Sequence, residues 1–157
     1  MIPRNKRNRP TNLQRGFSLI EVLIALIILS VGMLGIAGLY VQSMQAGRTS
    51  MFRHNAVTLV GDIADRIRAN PSAGAAYTAA TGADNNCIDG DVNCTPAEMA
   101  AQDIDLWQEQ ADASLPNGTV TVTLDSSVVP PSYQITVGWD EPGESPTFTI
   151  IIPVLDI

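Results

Sequence analysis

Arg15-Gly16-Phe17-Ser18-Leu19-Ile20-Glu21 joins a short basic leader to a long apolar run that carries a single acid. From Phe17 to Val41, 25 residues, Glu21 is the only charged side chain. At about 1.5 Å per residue, a helix of that length crosses a hydrocarbon core of roughly 30 Å. The run is therefore expected to sit in a membrane. A carboxylate at such depth costs on the order of 2.5–3.5 kcal/mol even on the mild insertion scale, so Glu21 marks a functional position and calls for a partner.

Residues 1–16 contain Arg4, Lys6, Arg7, Arg9 and Arg15, five of the nine basic residues, and no acid. Positive charge before a spanning helix holds that end in the cytoplasm. The small residues Gly35-Ile36-Ala37-Gly38 within the apolar run admit two readings: a signal-peptidase site, or close packing between helices. Without residues 1–16 the chain keeps 4 basic and 16 acidic side chains, a balance of −12, and no Lys or Arg follows Arg68. Phosphate recognition needs Lys and Arg, so this charge pattern argues against nucleic acid as a partner of the later part.

No proline interrupts the chain between Thr11 and Asn70. Phe52, Ala56, Leu59, Val60, Ile63 and Ile67 form an apolar stripe at helical spacing, while Arg53, Asp62, Asp65, Arg66 and Arg68 fall outside it. Asp62 and Arg66 stand at i,i+4. One helix of about 52 residues, about 78 Å, is expected from Phe17 to about Arg68. Asn70-Pro71 stops it, because the residue before proline avoids helical dihedrals. Gly32, Gly35 and Gly38 in its apolar half read as sites of close packing or of local loosening.

Residues 72–95 are rich in Ala, Gly, Asn, Asp and Thr and read as a long surface loop. Cys87 and Cys94, seven apart in a stretch expected to be exported, suggest a small disulfide loop; free thiols and an intermolecular bond are the other options. Asp84, Asp89, Asp91 and Asn93 resemble a calcium loop only in part, since the bidentate Glu is missing at the required offset, and a solvated acidic turn is the simpler reading. No metal or cofactor is expected.

After Thr95 as helix cap, Ala97–Ala113 reads as a helix with Pro96 in its first turn and Met99, Ile104 and Trp107 as apolar contacts. Leu115-Pro116-Asn117-Gly118 is a turn. Strands are expected over 119–124, 133–139 and 147–154, with Val120, Val122 and Leu124 on one face. Three strands covering the distal half of a helix are enough for one small domain. The fold class is thus α+β: a long N-terminal helix packed on a small antiparallel sheet. Its parts are a leader at 1–16, a membrane half at 17–41, an amphipathic continuation at 42–70 and a globular head at 71–157.

Catalysis finds little support. His54, the sole histidine, lies outside the apolar stripe with no nucleophile near it in sequence, and no phosphate loop, zinc spacing or nucleophile elbow is present. Trp107 and Trp139 read as core or interface anchors.

The Gly16-Phe17 junction with Glu21 resembles the leader of type IV pilins and pseudopilins. Within that family, Leu29-Ser30-Val31-Gly32-Met33-Leu34-Gly35-Ile36-Ala37-Gly38-Leu39 is similar to PilV-type minor pilins. So are Ala64-Asp65-Arg66-Ile67-Arg68-Ala69-Asn70-Pro71, Asp105-Leu106-Trp107, Leu115-Pro116-Asn117-Gly118 and Tyr133-Gln134-Ile135-Thr136-Val137-Gly138-Trp139. The resemblance spans most of the chain and is weakest from Ser72 to Thr95. It implies the type IV pilin fold, cleavage by a prepilin peptidase after Gly16, methylation of the new Phe17 amine, and a role for Glu21 in subunit assembly. The implied partners are the prepilin peptidase, other minor pilins, the major pilin, and the inner membrane with its pilus assembly platform. The implied location is the inner membrane, N-terminus inside and C-terminal domain in the periplasm, and then the pilus. Two other readings share the leader: a minor pseudopilin of type II secretion, and an adhesion module acting through the 72–95 loop.

Overall fold

The structure, a computed structural model, describes residues 16–88 and 92–154. The elements run α1 (Leu19–Ala69), a 3-10 segment (Pro71–Thr78), α2 (Pro96–Ser114), β1 (Thr119–Asp125), β2 (Ser132–Gly138) and β3 (Thr147–Pro153). The chain divides into two units, Met1–Met44 and Gln45–Ile157.

Among the described residues of the first unit, α1 is the only element. Its described residues are exposed throughout, and large apolar side chains from Phe17 to Met44 find no cover among the described residues. The one polar side chain in mid-run, Ser30, is satisfied locally: its Oγ donates to the carbonyls of Leu26 (2.8 Å) and Ile27 (3.0 Å). Such back-bonding is how a hydroxyl is carried in an apolar medium.

The second unit holds the core. Ala56, Leu59, Val60, Ile63, Ala64 and Ile67 of α1 are buried in one cluster with Trp107 of α2 and with Tyr133, Ile135 and Val137 of β2. Phe52 packs against it from the edge. The stripe read from spacing is therefore the buried face, and Arg53, Asp62, Asp65 and Arg68 are exposed. α1 ends at Ala69, with Arg66 and Arg68 in its last turn, where positive charge suits the helix dipole.

The sheet is an antiparallel meander with β2 in the centre. Val122 opposes Ile135, and Ile135 opposes Ile150. Val120, Val122 and Leu124 point toward the core while Thr119, Thr121 and Thr123 are exposed. On the outer face Thr136 and Thr149 share a hydrogen bond between their Oγ1 atoms (2.9 Å). The architecture is α+β, a long N-terminal helix with a small three-stranded antiparallel sheet, as in the type IV pilin fold.

Residues 72–95 depart from the surface loop expected for them. The chain turns through the 3-10 segment and drives Tyr77 into the core at 1% exposure, where its ring stacks on Trp107 with centroids 5.6 Å apart. One buried aromatic ring outweighs the polar composition around it. The following residues are pinned to α2: Ala83 N–H donates to the Ala101 carbonyl (3.0 Å). A Cβ on Gly82 would lie 2.1 Å from the Asp105 nitrogen, so only glycine lets the two backbones approach. α2 itself starts at a capping box, with Thr95 Oγ1 accepting from Glu98 N–H (3.3 Å) and Glu98 Oε2 accepting from Thr95 N–H (2.8 Å).

Candidate functional site

Gly16, Phe17 and Ser18 lead into α1 in non-helical backbone, and the Ser18 carbonyl accepts from Glu21 N–H (3.0 Å) and Val22 N–H (3.3 Å). Ser18 thus caps the helix with its backbone, and Glu21 falls in the first turn, where a carboxylate suits the positive helix end. Phe17 is 84% exposed. Among the described residues Glu21 has no cationic partner within salt-bridge distance. The basic side chains from Arg4 to Arg15 lie outside the described residues.

A Cβ on Gly16 would meet nothing within 4 Å, and the same holds for Gly32, Gly35 and Gly38. Among the described residues, no packing requires glycine at any of these four positions. Inside a helix each glycine costs about 0.5–1 kcal/mol relative to alanine.

α1 is long and apolar enough to cross a membrane: its most apolar window has mean hydropathy 2.7 and is 0% buried. The buried core helix of a soluble protein has an apolar stripe, whereas this half is apolar around its whole circumference.

Cys87 and Cys94 are joined, with Cα atoms 5.8 Å apart. The joined segment is anchored by Gln102, only 6% exposed on α2, whose Oε1 accepts from Asn85 N–H (2.7 Å) and Cys87 N–H (3.4 Å). Asn85 Nδ2 donates in turn to the Glu98 carbonyl (3.0 Å). Sequence reading missed Gln102, for which the only signal was an amide on the inward face of α2. Of the acidic turn, Asp84 accepts from Asn86 N–H (3.0 Å), Asn93 is exposed, and Asp89 and Asp91 lie outside the described residues.

His54 is exposed on α1. Trp107 and Trp139 are 1% and 3% exposed and belong to the core cluster. Trp139 Nε1–H also donates to Glu141 Oε1 (2.9 Å), and Glu141 Oε2 accepts from Thr49 Oγ1 (2.7 Å), which ties the turn after β2 to α1. These two donors, with the charge of Arg53, hold the Glu141 carboxyl below its ordinary range. The structure brings Gly16, Phe17 and Glu21 together at one helix start, and joins Cys87 to Cys94 in the other unit.

Two family models match the chain. Residues 11–37 match the prokaryotic N-terminal methylation motif, and residues 38–105 match the model described as Type IV pilin Tt1218. No curated protein and no solved structure matches. The matched segments abut at Ile36-Ala37-Gly38, inside the apolar half of α1, so the motif and the pilin model together follow the helix from its start into α2. With its apolar N-terminal helix, small antiparallel sheet and disulfide, the chain is a type IV pilin-like protein carrying the prepilin N-terminal methylation motif.

Proposed function

We propose that the chain is a PilV-like minor pilin that takes part in priming and assembling the type IV pilus and enters the fibre. In this reading residues 1–16 are a leader removed by the prepilin peptidase, and the Phe17 amine is then methylated. Residues 17–41 hold the subunit in the inner membrane with the later part in the periplasm, residues 42–70 continue the helix, and residues 71–157 form the head.

One observation carries the reading: an apolar helix surface, exposed from Phe17 to Met44, opens with Gly16-Phe17 and bears one acid with no cationic partner among the described residues. An α-amino group and a carboxylate from two subunits neutralise one another in a dry helical bundle, whereas either alone is a costly buried charge. Cleavage before Phe17 creates such an amine at the end of the same segment. Glu21 of an incoming subunit then pairs with the Phe17 amine of its neighbour and sets the axial register.

Mass spectrometry of the N-terminal peptide, with immunoblots of sheared pili, tests this. Methylated Phe17 at the N-terminus and subunit in the pili are expected. Retained residues 1–16 contradict the pilin reading, and a processed subunit absent from pili but required for exoprotein secretion assigns the chain to type II secretion instead.

A further inference from the structure

Arg48 is the first charged side chain of α1 after Glu21. From Phe17 to Arg48 there are 31 residue steps. As helix they rise about 47 Å, or about 44 Å along the membrane normal at the common tilt of roughly 20°. A bilayer with both headgroup layers is roughly 40–45 Å thick. A helix that enters one headgroup layer at Phe17 therefore carries Arg48 into the other.

At this level the second unit has a groove of about 590 Å³, walled by Phe52, Pro116 and Pro142 and charged by Arg48, Asp140 and Glu141. Its walls are fixed. Asp140 N–H donates to the Pro116 carbonyl (2.8 Å), and the Asp140 carboxylate accepts from Asn117 Nδ2 (2.9 Å) on one oxygen and from Ser145 Oγ (3.0 Å) on the other. Glu141 is held in the same way by Trp139 and Thr49. These neutral donors keep both carboxyls below their ordinary range and thus anionic, and each oxygen retains a second lone pair for a further donor. Among the described residues Arg48 has no carboxylate within 4.0 Å, and neither Asp140 nor Glu141 has a cation in that range. Both signs thus line one groove without neutralising each other.

We infer that this groove binds the headgroup of a phospholipid bearing a primary ammonium, with the phosphate on Arg48 and the ammonium on Asp140 and Glu141. A ligand of one sign does not fit: an anion meets two carboxylates, and a cation leaves Arg48 unpaired. A phosphate and an ammonium in one headgroup answer both, and the apolar walls suit the glycerol and first methylenes beside them. The ammonium must carry N–H donors to use the free lone pairs, which a trimethylammonium lacks. The inference rests on the assembly reading for one thing only, the membrane placement of residues 17–41.

The test uses the full-length protein in mild detergent, titrated with phosphatidylethanolamine, phosphatidylcholine or phosphatidylglycerol of the same acyl chains, with retained lipids counted by native mass spectrometry. Phosphatidylethanolamine should be retained about tenfold over either of the others, the yield of one charge-assisted hydrogen bond. Asp140→Asn and Glu141→Gln should bring it down to the phosphatidylcholine level. Arg48→Gln, which removes the phosphate contact common to both lipids, should lower both; this side chain is exposed and unpaired among the described residues, so the variant should fold. Arg68→Gln, in the last turn of α1 and outside the groove, should change nothing. Equal retention of the three lipids overturns the inference, as does a preference for phosphatidylglycerol or a phosphatidylethanolamine preference that survives Arg48→Gln and Asp140→Asn. So does a groove with no lipid preference in which Gln45→Cys cross-links to another protein of the fibre. Alkaline carbonate extraction reads the membrane placement separately: release of the chain counts against the assembly reading, whereas an embedded chain without lipid preference overturns this inference alone.

Discussion

Arg66 Nη1 of α1 donates to Oδ1 of Asp103 on α2 at 2.9 Å, and Asp103 is only 3% exposed. The other Asp103 oxygen accepts from the Tyr77 hydroxyl (3.0 Å), which itself accepts from Asn70 Nδ2 (3.2 Å). One carboxylate thereby ties α1, the 3-10 segment and α2 together. Burial works against the Arg66 charge, but the hydrogen bond and charge of Asp103, with those of Asp62, outweigh it and hold the guanidinium above its ordinary pKa. Burial also pushes the Tyr77 phenol well up, so it stays a neutral donor.

Asp103→Ala should therefore destabilise the protein by about 2–3 kcal/mol, since it leaves the Tyr77 hydroxyl and part of the half-exposed Arg66 guanidinium unpaired. Asp62→Ala, which breaks the exposed i,i+4 pair with Arg66, should cost about 0.5 kcal/mol or less. Urea unfolding of the two detergent-solubilised variants gives the comparison, and equal effects would show that the buried network contributes nothing special.

Gly82→Ala should cost about 1–3 kcal/mol, because the added methyl meets the α2 backbone and neither element can yield without losing the Ala83–Ala101 hydrogen bond. Gly35→Ala meets nothing among the described residues and should stiffen α1, yet lower the amount of subunit in pili if a neighbouring helix packs there. Melting curves read the first effect, and blots of sheared pili against membrane the second.

Most of the architecture was legible because its signals are local. The 3.6-residue stripe ending at Ile67, the Asn70-Pro71 stop, the Thr95 cap and the two-residue alternation from Thr119 each report on a near neighbour in sequence. The Gly16-Phe17 junction and Glu21 stand out in the local sequence for the same reason, whereas the backbone cap at Ser18 was not read from it. Tyr77, Gln102 and Asp103 were not: their partners lie across the fold, and their own surroundings read as loop or as polar helix surface. Gly82 was lost in a stretch rich in glycine, where nothing local separates a required glycine from a permissive one.

Acid should loosen the turn after β2. Glu141 is held below its ordinary value of 4.5 first by Trp139 Nε1–H and then by the Thr49 hydroxyl, so its contribution is present above that value and is lost as pH falls through the lower folded-state pKa. Glu98, held down by Thr95 at the α2 cap, acts in the same direction. The urea midpoint of the parent should fall as pH drops below 4.5. Glu141→Gln should fall less steeply over that range, and parallel curves would contradict the assignment.

Replacing both Cys87 and Cys94 by Ser should cost about 2–3 kcal/mol, the closure entropy of so short a loop. The core cluster lies outside the bridge, so the variant should remain folded with faster hydrogen exchange near Asn85. Loss of cooperative unfolding would give the bond a larger part than this.

The central claim, that Glu21 exists to meet a neighbour's Phe17 amine, is tested most directly by Glu21→Gln. The measurement is the amount of subunit in sheared pili divided by its amount in the membrane, with the N-terminus checked for processing. Insertion and cleavage after Gly16 should persist, since a charge is removed from the apolar segment and the leader is untouched. Entry into pili should collapse, because the neighbour's amine is left buried without its counter-charge, a penalty of about 3–5 kcal/mol for a fully buried pair. An unchanged ratio, with pili as numerous as in the parent, would make Glu21 an acid reaching for the membrane surface and contradict the account.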